Sequence, residues 1–504
     1  MQSSTRTRFW LAALGVVLAA VLVATLGVPA LAAPPGQGGL PSPTYHPVES
    51  VDTTLDVVGG KDETRTFSYD AIDGFELGTT TVRSTYPRGM VFTLSPTSPN
   101  GAITDVTLFI RFPTEAGLRA SAEWDPETET WVARPWETGD DQPAWSQIRF
   151  YWRVRDETDV FVDTPSFNTE YWDPTREWYR LNMPQYLVFW YGGLGDDPQR
   201  FADYAAYAIA ATHQRRVDGF GQNISYQPVA VIYANRADWS EIQSAGQTNT
   251  FAQGSTRNAL GICSQFVTGS GDSAIVRIVH VITHELTHMW HGDIVGGANG
   301  PIWWYEGLAE WFGTTPPNYD ARLVNLATLQ DIPSLTTNIG ATAVQADGGN
   351  ALAYSVGPSF VNWVVNTFGI EVIREAITAQ AQAIPVREAL ETASGVSFLE
   401  LENGWRTYIG LQALTLADVD PASALEPYED SLFAEGDVVN LPSSPAMVMI
   451  NEFPGSQRGM PVGSCFGGTE VTLLQIGAID GVPYFQIDCL GQIGWVARDS
   501  VSGS

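Results

Sequence analysis

The sequence contains six histidines, and four of them, His280, His284, His288 and His291, fall within twelve residues. At 100° per residue they share one face of a helix, within an arc of about 80°. The central pair belongs to His284-Glu285-Leu286-Thr287-His288. Imidazoles four residues apart stand one helical turn from each other, so both reach a single Zn²⁺ at about 2.0–2.1 Å. Glu285 follows the first of them directly and is placed to meet a water on the ion rather than the ion itself. A hydrolytic zinc needs a third protein ligand and an open fourth position. A histidine six residues after His288 would serve, but Ile294 stands there. The segment Trp303-Trp304-Tyr305-Glu306-Gly307-Leu308-Ala309-Glu310 offers two glutamates at i, i+4 spacing instead. One can bind the ion while the other accepts the second N–H of a ligand histidine and fixes its tautomer.

These residues resemble the gluzincin zinc metallopeptidases, the peptidase-MA-like group of thermolysin and the zinc aminopeptidases. The pattern is HELTH followed by a W-x-x-E-G-x-A-E helix. The resemblance implies a zinc cofactor, Glu306 as third ligand, Glu310 as the partner of a ligand histidine, and Glu285 as general base for peptide hydrolysis. Glu306 lies 18 residues after His288 (306 − 288), one fewer than is usual in the aminopeptidases, which leaves Glu310 as an alternative ligand. Ala353-Tyr354-Ser355-Val356-Gly357 resembles the aminopeptidase Y-x-x-G element. There the tyrosine stabilises the oxyanion, and Tyr354 takes that role by resemblance; a core tyrosine is the plainer alternative. Residues 385–390 and 395–405 resemble the closing helices of bacterial peptidase-MA-like proteins. The likeness covers roughly residues 165–410.

One departure bears on substrate. Zinc aminopeptidases carry a G-x-M-E-N stretch whose glutamate holds the substrate amine. The segment before the histidine helix reads Ala259-Leu-Gly-Ile-Cys-Ser-Gln-Phe-Val267, which is expected to be the edge strand and lacks such an acid. An endopeptidase is therefore favoured over an aminopeptidase. His280 and His291 are expected to be structural. Cys263 is expected to be a small buried side chain, and Trp303, Trp304 and Trp311 core packing. Asp293 is a weak candidate for orienting a histidine.

The elements that must position these residues follow from pattern. Residues 1–32 read as a signal peptide: Arg6 and Arg8, an apolar run from Phe9 to Val28, then Ala30-Leu31-Ala32 at the cleavage site. If uncleaved, the run is long enough to anchor the chain in a membrane. Residues 33–45 are a Pro/Gly linker. Residues 46–165 read as an antiparallel β-sandwich of short β-branched and aromatic strands, such as 82–86, 90–94, 106–112 and 148–154. Residues 166–415 are expected, by the resemblance, to form the gluzincin-like peptidase domain. Strands are expected at 186–191 and 228–233, a helix at 199–214, and the histidine helix at 273–291. Further helical segments are expected near 304–312, 351–368, 371–382 and 385–407, with Gly292, Gly313 and Gly369 as C-terminal caps. Residues 416–443 are an acidic connector. Residues 444–501 are similar to a bacterial SH3-like domain, on Gly468–Leu474, Tyr484–Ile487 and Gly491–Val496. The fold class is thus multidomain α+β: an N-terminal antiparallel β-sandwich, a thermolysin-like α+β metallopeptidase domain, and a small C-terminal SH3-like β-barrel.

The whole composition agrees with a folded globular protein. The chain has 504 residues and a net charge of −30, with 26 Lys+Arg against 56 Asp+Glu. Such a surface repels nucleic acid. Three cysteines exclude a disulfide-scaffold or Cys-rich zinc module. A Cys465–Cys489 bridge would contribute about 3 kcal/mol; free thiols are the alternative. The expected partner is a peptide or protein substrate, with a cell-wall ligand implied for the SH3-like domain and membrane contact only through an uncleaved N-terminal segment. The competing reading is a non-catalytic cell-surface binding protein with a structural zinc site. The intact Glu285 argues against it, because a structural site has no use for a base.

Overall fold

In the strand Gln147–Asp156 every second residue is buried: Ile148, Phe150, Trp152, Val154 and Asp156. That alternation is the mark of a sheet with one face on a core and one in water. It recurs along the N-terminal third of the chain. The computed structural model describes residues 53–136, 142–242, 254–296, 300–313, 320, 323, 332–336, 349–430, 432–444, 446–455 and 461–501. The expected signal segment and the linker at 33–45 lie outside them. Among the described residues no helix is long and apolar enough to cross a membrane. They form two compact units, one reaching Gln214 and resuming over Asn223–Asp293, the other holding Arg215–Gln222 and the residues from Ile294 onward.

The first unit contains two five-stranded antiparallel sheets. One runs Phe161–Asp163, Gln147–Asp156, Ile103–Arg111, Gly117–Ser121, with Phe167–Glu170 also paired to Gln147–Asp156. The other runs Thr64–Ser68, Thr79–Ser84, Met90–Leu94, Thr130–Ala133, Glu123–Asp125. Val82, Phe92 and Leu94 of one sheet and Leu108, Phe150 and Trp152 of the other enter a common core. That core also takes in Phe189, Val231, Tyr233 and Ile262 of a third sheet.

The third sheet has six strands in the order Thr54–Gly59, Glu177–Met183, Tyr186–Trp190, Val229–Tyr233, Ile262–Phe266, Gly254–Arg257. Its middle is parallel, Tyr186–Trp190 to Val229–Tyr233 to Ile262–Phe266, and its flanks are antiparallel. Val229–Tyr233 and Ile262–Phe266 are buried at every residue, as parallel strands covered on both faces must be. Helix α1 (Pro198–Phe220) makes the first crossover between parallel strands, and α2 (Arg236–Ser240), capped by the Asn235 side chain, follows the second strand.

The edge strand is not the 259–267 expected from the sequence. Asn258–Leu260 is a turn, closed by Gly261 at φ +66°, and Ile262–Phe266 lies inside the sheet with a partner on each side. The edge is Gly254–Arg257, folded back by that turn. A five-residue run buried on both faces belongs inside a sheet, and a positive φ at Gly261 is what a tight reversal requires.

Helix α3 (Gly271–Val295) then carries the histidines. It runs through Gly292, so that glycine is no cap. A methyl group there would lie 2.4 Å from Cγ of Asn258, and the missing side chain lets the 258–261 turn lie against the helix.

In the second unit, α4 (Ile302–Phe312), α5 (Gly349–Phe368), α6 (Ile370–Gln380), α7 (Val386–Ser394) and α8 (Phe398–Tyr408) follow in order. The single segment read at 385–407 is two helices. Gly395 at φ +75° ends α7, and Ser397 with Glu400 forms a capping box that starts α8. Residues 416–443 contribute two strands, Glu426–Pro427 and Val438–Asn440, to a seven-stranded C-terminal sheet. Its main order is Glu426–Pro427, Glu470–Ile479, Val482–Cys489, Gln492–Ala497, Met447–Asn451, Pro461–Phe466. Among the described residues no strand pairing joins its ends, so a closed barrel is not formed. A Cys465–Cys489 disulfide instead ties two strands that stand three places apart in this order.

Candidate metal centre

The middle of α3 is buried on all sides. Ile278, Ile282, Leu286, Met289 and Trp290 are nearly inaccessible, and so are His284, Glu285 and His288. Thr283 and Thr287 keep their hydroxyls satisfied by donating to carbonyls one turn back, Thr287 to the Thr283 carbonyl at 3.1 Å. Helical spacing then does what the motif requires. The Nε2 atoms of His284 and His288 lie 3.1 Å apart, with ring planes at 80°. Two nitrogens on one tetrahedral zinc would be separated by roughly 3.3 Å, given bonds of about 2.0–2.1 Å.

Glu306 sits in the middle of α4 and is buried, as is Glu310 one turn on. The helix is anchored by its indoles. Trp303 Nε1 donates to the Leu335 carbonyl at 2.7 Å, Trp304 Nε1 to Gln380 Oε1 at 2.8 Å, and Trp311 Nε1 to Asn362 Oδ1 at 3.3 Å. These tryptophans are packing residues with satisfied N–H groups. Helices α4 and α5 pack closely at Gly307 and Gly357. Tyr354, buried, lies one turn before Gly357 on α5.

One ligand atom from each of His284, His288 and Glu306 lies within 4.8 Å of the other two. Two imidazoles and one carboxylate are a donor set that suits zinc in chemistry and number and leaves a fourth position for water or substrate. Burying carboxylates this fully is costly unless counter-charge is held with them, and a divalent cation supplies it. The residues present therefore fit the ion.

The Glu285 carboxylate meets the edge strand. Thr256 Oγ1 donates to its Oε2, and its Oε1 lies against Gly254. Sequence reasoning missed both residues, because the stretch 254–257 carries no chemical motif. Cys263, buried beside Glu285, has its thiol pushed well above the usual range by burial first and by that carboxylate second. His280 is half-buried with its ring centroid 6.4 Å from that of His284, and His291 is buried. Asp293 accepts from the backbone N–H and the hydroxyl of Ser225, both at 2.7 Å.

No protein-family model matches the sequence, and no curated protein matches it. Among solved structures the chain is similar to aminopeptidase A of Legionella pneumophila in complex with aspartic acid, at 11% identity, 67% of this chain, 50% of that one and TM-score 0.27. It is also similar to an M1 zinc metallopeptidase of Deinococcus radiodurans, at 12% identity, 75% of this chain, 95% of that one and TM-score 0.28. The match thus spans half the length of the Legionella enzyme. A polysaccharide deacetylase of Bacillus cereus matches over 35% of this chain and 51% of its own, at 10% identity and TM-score 0.16.

Proposed function

We propose that this chain is a zinc-dependent metallopeptidase, secreted or held at the cell surface, that cleaves within peptide chains. The observation that carries the reading is the meeting of His284, His288 and Glu306 as one buried donor set, with Glu285 adjacent in the same helix. Bound zinc would supply Lewis acidity toward water and the scissile carbonyl. The protein residues do the rest. Glu285 takes the proton of the attacking water and returns it to the leaving amine. The Tyr354 hydroxyl donates to the oxygen that becomes negative. Glu310 accepts the second ring N–H of a ligand histidine and holds its tautomer.

Internal cleavage is favoured by the edge strand. An edge strand pairs with an extended substrate through main-chain hydrogen bonds. This one reads Gly254-Ser255-Thr256-Arg257. It offers no carboxylate to hold a free N-terminal amine, and its only charge is an arginine.

The test is peptide hydrolysis by residues 33–504, loaded with zinc, on a diverse peptide mixture read by mass spectrometry, beside Glu285→Gln. Internal cleavages lost in the variant are expected. Ladders trimmed from the N-terminus would overturn the endopeptidase assignment. No zinc-dependent cleavage would overturn the peptidase reading in favour of a binding protein with a structural ion.

A further inference from the structure

In the edge strand Gly254–Arg257, alternate residues face opposite sides of the sheet. Ser255 turns to one side, where its hydroxyl lies 3.4 Å from Ser264 Oγ, which accepts from Trp239 Nε1 at 3.0 Å. Gly254 and Thr256 turn to the other side, against α3, and both meet Glu285. The Thr256 hydroxyl, 1% exposed, has two acceptors within reach: Glu285 Oε2, and the Glu285 backbone carbonyl at 3.4 Å. The carboxylate oxygen is the closer of the two, so the single proton goes there. At Gly254 a methyl group would stand 2.8 Å from Glu285 Oε1 and 3.1 Å from Val281 Cγ1. One strand therefore addresses both oxygens of the carboxylate: a donor fixes one, and an absent side chain leaves room at the other.

A glutamate side chain has three rotatable bonds, and a general base works only within hydrogen-bond reach of the proton that it takes. We propose that Thr256 is a positioning residue for Glu285: its hydroxyl pins Oε2 and so aims Oε1 at the reacting water. The assignment rests on the peptidase reading above. Thr256 exchanges no proton with substrate. It sets the orientation from which Glu285 receives the water proton and delivers it to the leaving amine. It also ties the strand that pairs with substrate backbone to the base that acts on it, so that peptide register and base move as one body.

The test has two arms on the zinc-loaded full chain. The first is a double-mutant cycle in denaturant unfolding with Thr256→Val, Glu285→Ala and the pair. The expected result is non-additive, with Thr256→Val costing less once Glu285 is alanine. Additive effects would overturn the contact. The second arm is kinetic. Thr256→Val is expected to lower kcat roughly 10- to 100-fold, part of the 10²–10⁴-fold that a positioned base contributes. KM should hold within about twofold and zinc content should be unchanged. Thr256→Ser, which restores the hydroxyl, is expected to recover kcat to within about threefold. An unchanged kcat in Thr256→Val would overturn the positioning role. So would a Thr256→Ser as inactive as the valine variant, or loss of zinc together with activity, since either marks a merely structural residue. A wild-type chain that binds zinc and cleaves no peptide overturns the peptidase reading and the positioning role with it. The cycle, which needs no turnover, tells that failure apart from the failure of the contact.

Discussion

Gly307 of α4 and Gly357 of α5 approach through bare Cα atoms: a methyl group on Gly357 would lie 2.8 Å from the Gly307 Cα and 2.0 Å from the Trp303 carbonyl oxygen. Two helices come this close only where neither carries a side chain at the crossing. The contact has consequences on both sides. Glu306 directly precedes Gly307, and Tyr354 lies one turn before Gly357, so the crossing sets how the two side chains stand to each other. Gly357→Ala is expected to destabilise the protein by about 1–3 kcal/mol, the usual cost of forcing atoms into a filled core. It should also weaken zinc binding, because α4 must shift and carries Glu306 with it. Denaturant unfolding and a zinc titration check the two effects separately.

Removing donors should sort the residues by role. His284→Ala, His288→Ala and Glu306→Ala are each expected to lose stoichiometric zinc. Glu285→Gln should keep the ion and lose hydrolysis, since it removes a base and no ligand. Glu310→Ala should weaken zinc about 10- to 100-fold, as loss of a partner to a ligating histidine typically does. Metal analysis after dialysis against a graded chelator measures all five.

Glu402 supplies a pH dependence of its own. It is buried in α8, accepts from Ser334 Oγ at 2.8 Å and from the Leu335 N–H at 3.0 Å, and has Arg406 Nη1 at 3.7 Å. Burial dominates and pushes its carboxyl up to about 7 from an ordinary 4.5, against the opposing pull of these partners. Between those two values the folded state holds a proton that the unfolded chain has released. Stability therefore falls as pH rises through that window and levels off above pH 7. Glu402→Gln keeps a neutral side chain of the same shape at all pH. The variant is expected to gain on wild type by up to about 3 kcal/mol between pH 4.5 and pH 7, at 1.36 kcal/mol per pH unit. Unfolding midpoints of both proteins at pH 5 and pH 8 check the sign.

The Cys465–Cys489 disulfide closes a loop with a sequence separation of 24. Chain-entropy reasoning gives such a loop about 3 kcal/mol of stabilisation. Replacing both cysteines with alanine in the full chain is expected to make the region 447–501 markedly more sensitive to proteolysis, while zinc content stays unchanged. Resistance equal to that of wild type would show that pairing of the seven strands suffices without the bridge.

Some of this was readable one residue at a time. HELTH and W-x-x-E-G-x-A-E announce themselves because a helix repeats every 3.6 residues, so spacing alone puts His284 with His288 and Glu306 with Glu310. The strands at 90–94 and 147–156 declare themselves by alternation and β-branched composition. The capping box at Ser397 and Glu400 is equally local, and with Gly395 it divides the helical stretch 385–407 in two.

What only the tertiary structure decided depends on partners distant in the chain. Period-two alternation says that a segment is a strand and never which strand lies beside it, so the sequence points to 259–267 as the edge when it is Gly254–Arg257. Nothing in the sequence marks Thr256, since a threonine at the end of a short strand has many uses and only the fold brings its hydroxyl to Glu285. Gly292 looked like a helix end because glycine usually ends helices; here it is glycine because Asn258 presses on it from another turn. The chemistry of this protein was written in side-chain types and helical period, which are local. The arrangement that aims that chemistry was set by strand order and close packing, which arise only when the whole chain has folded.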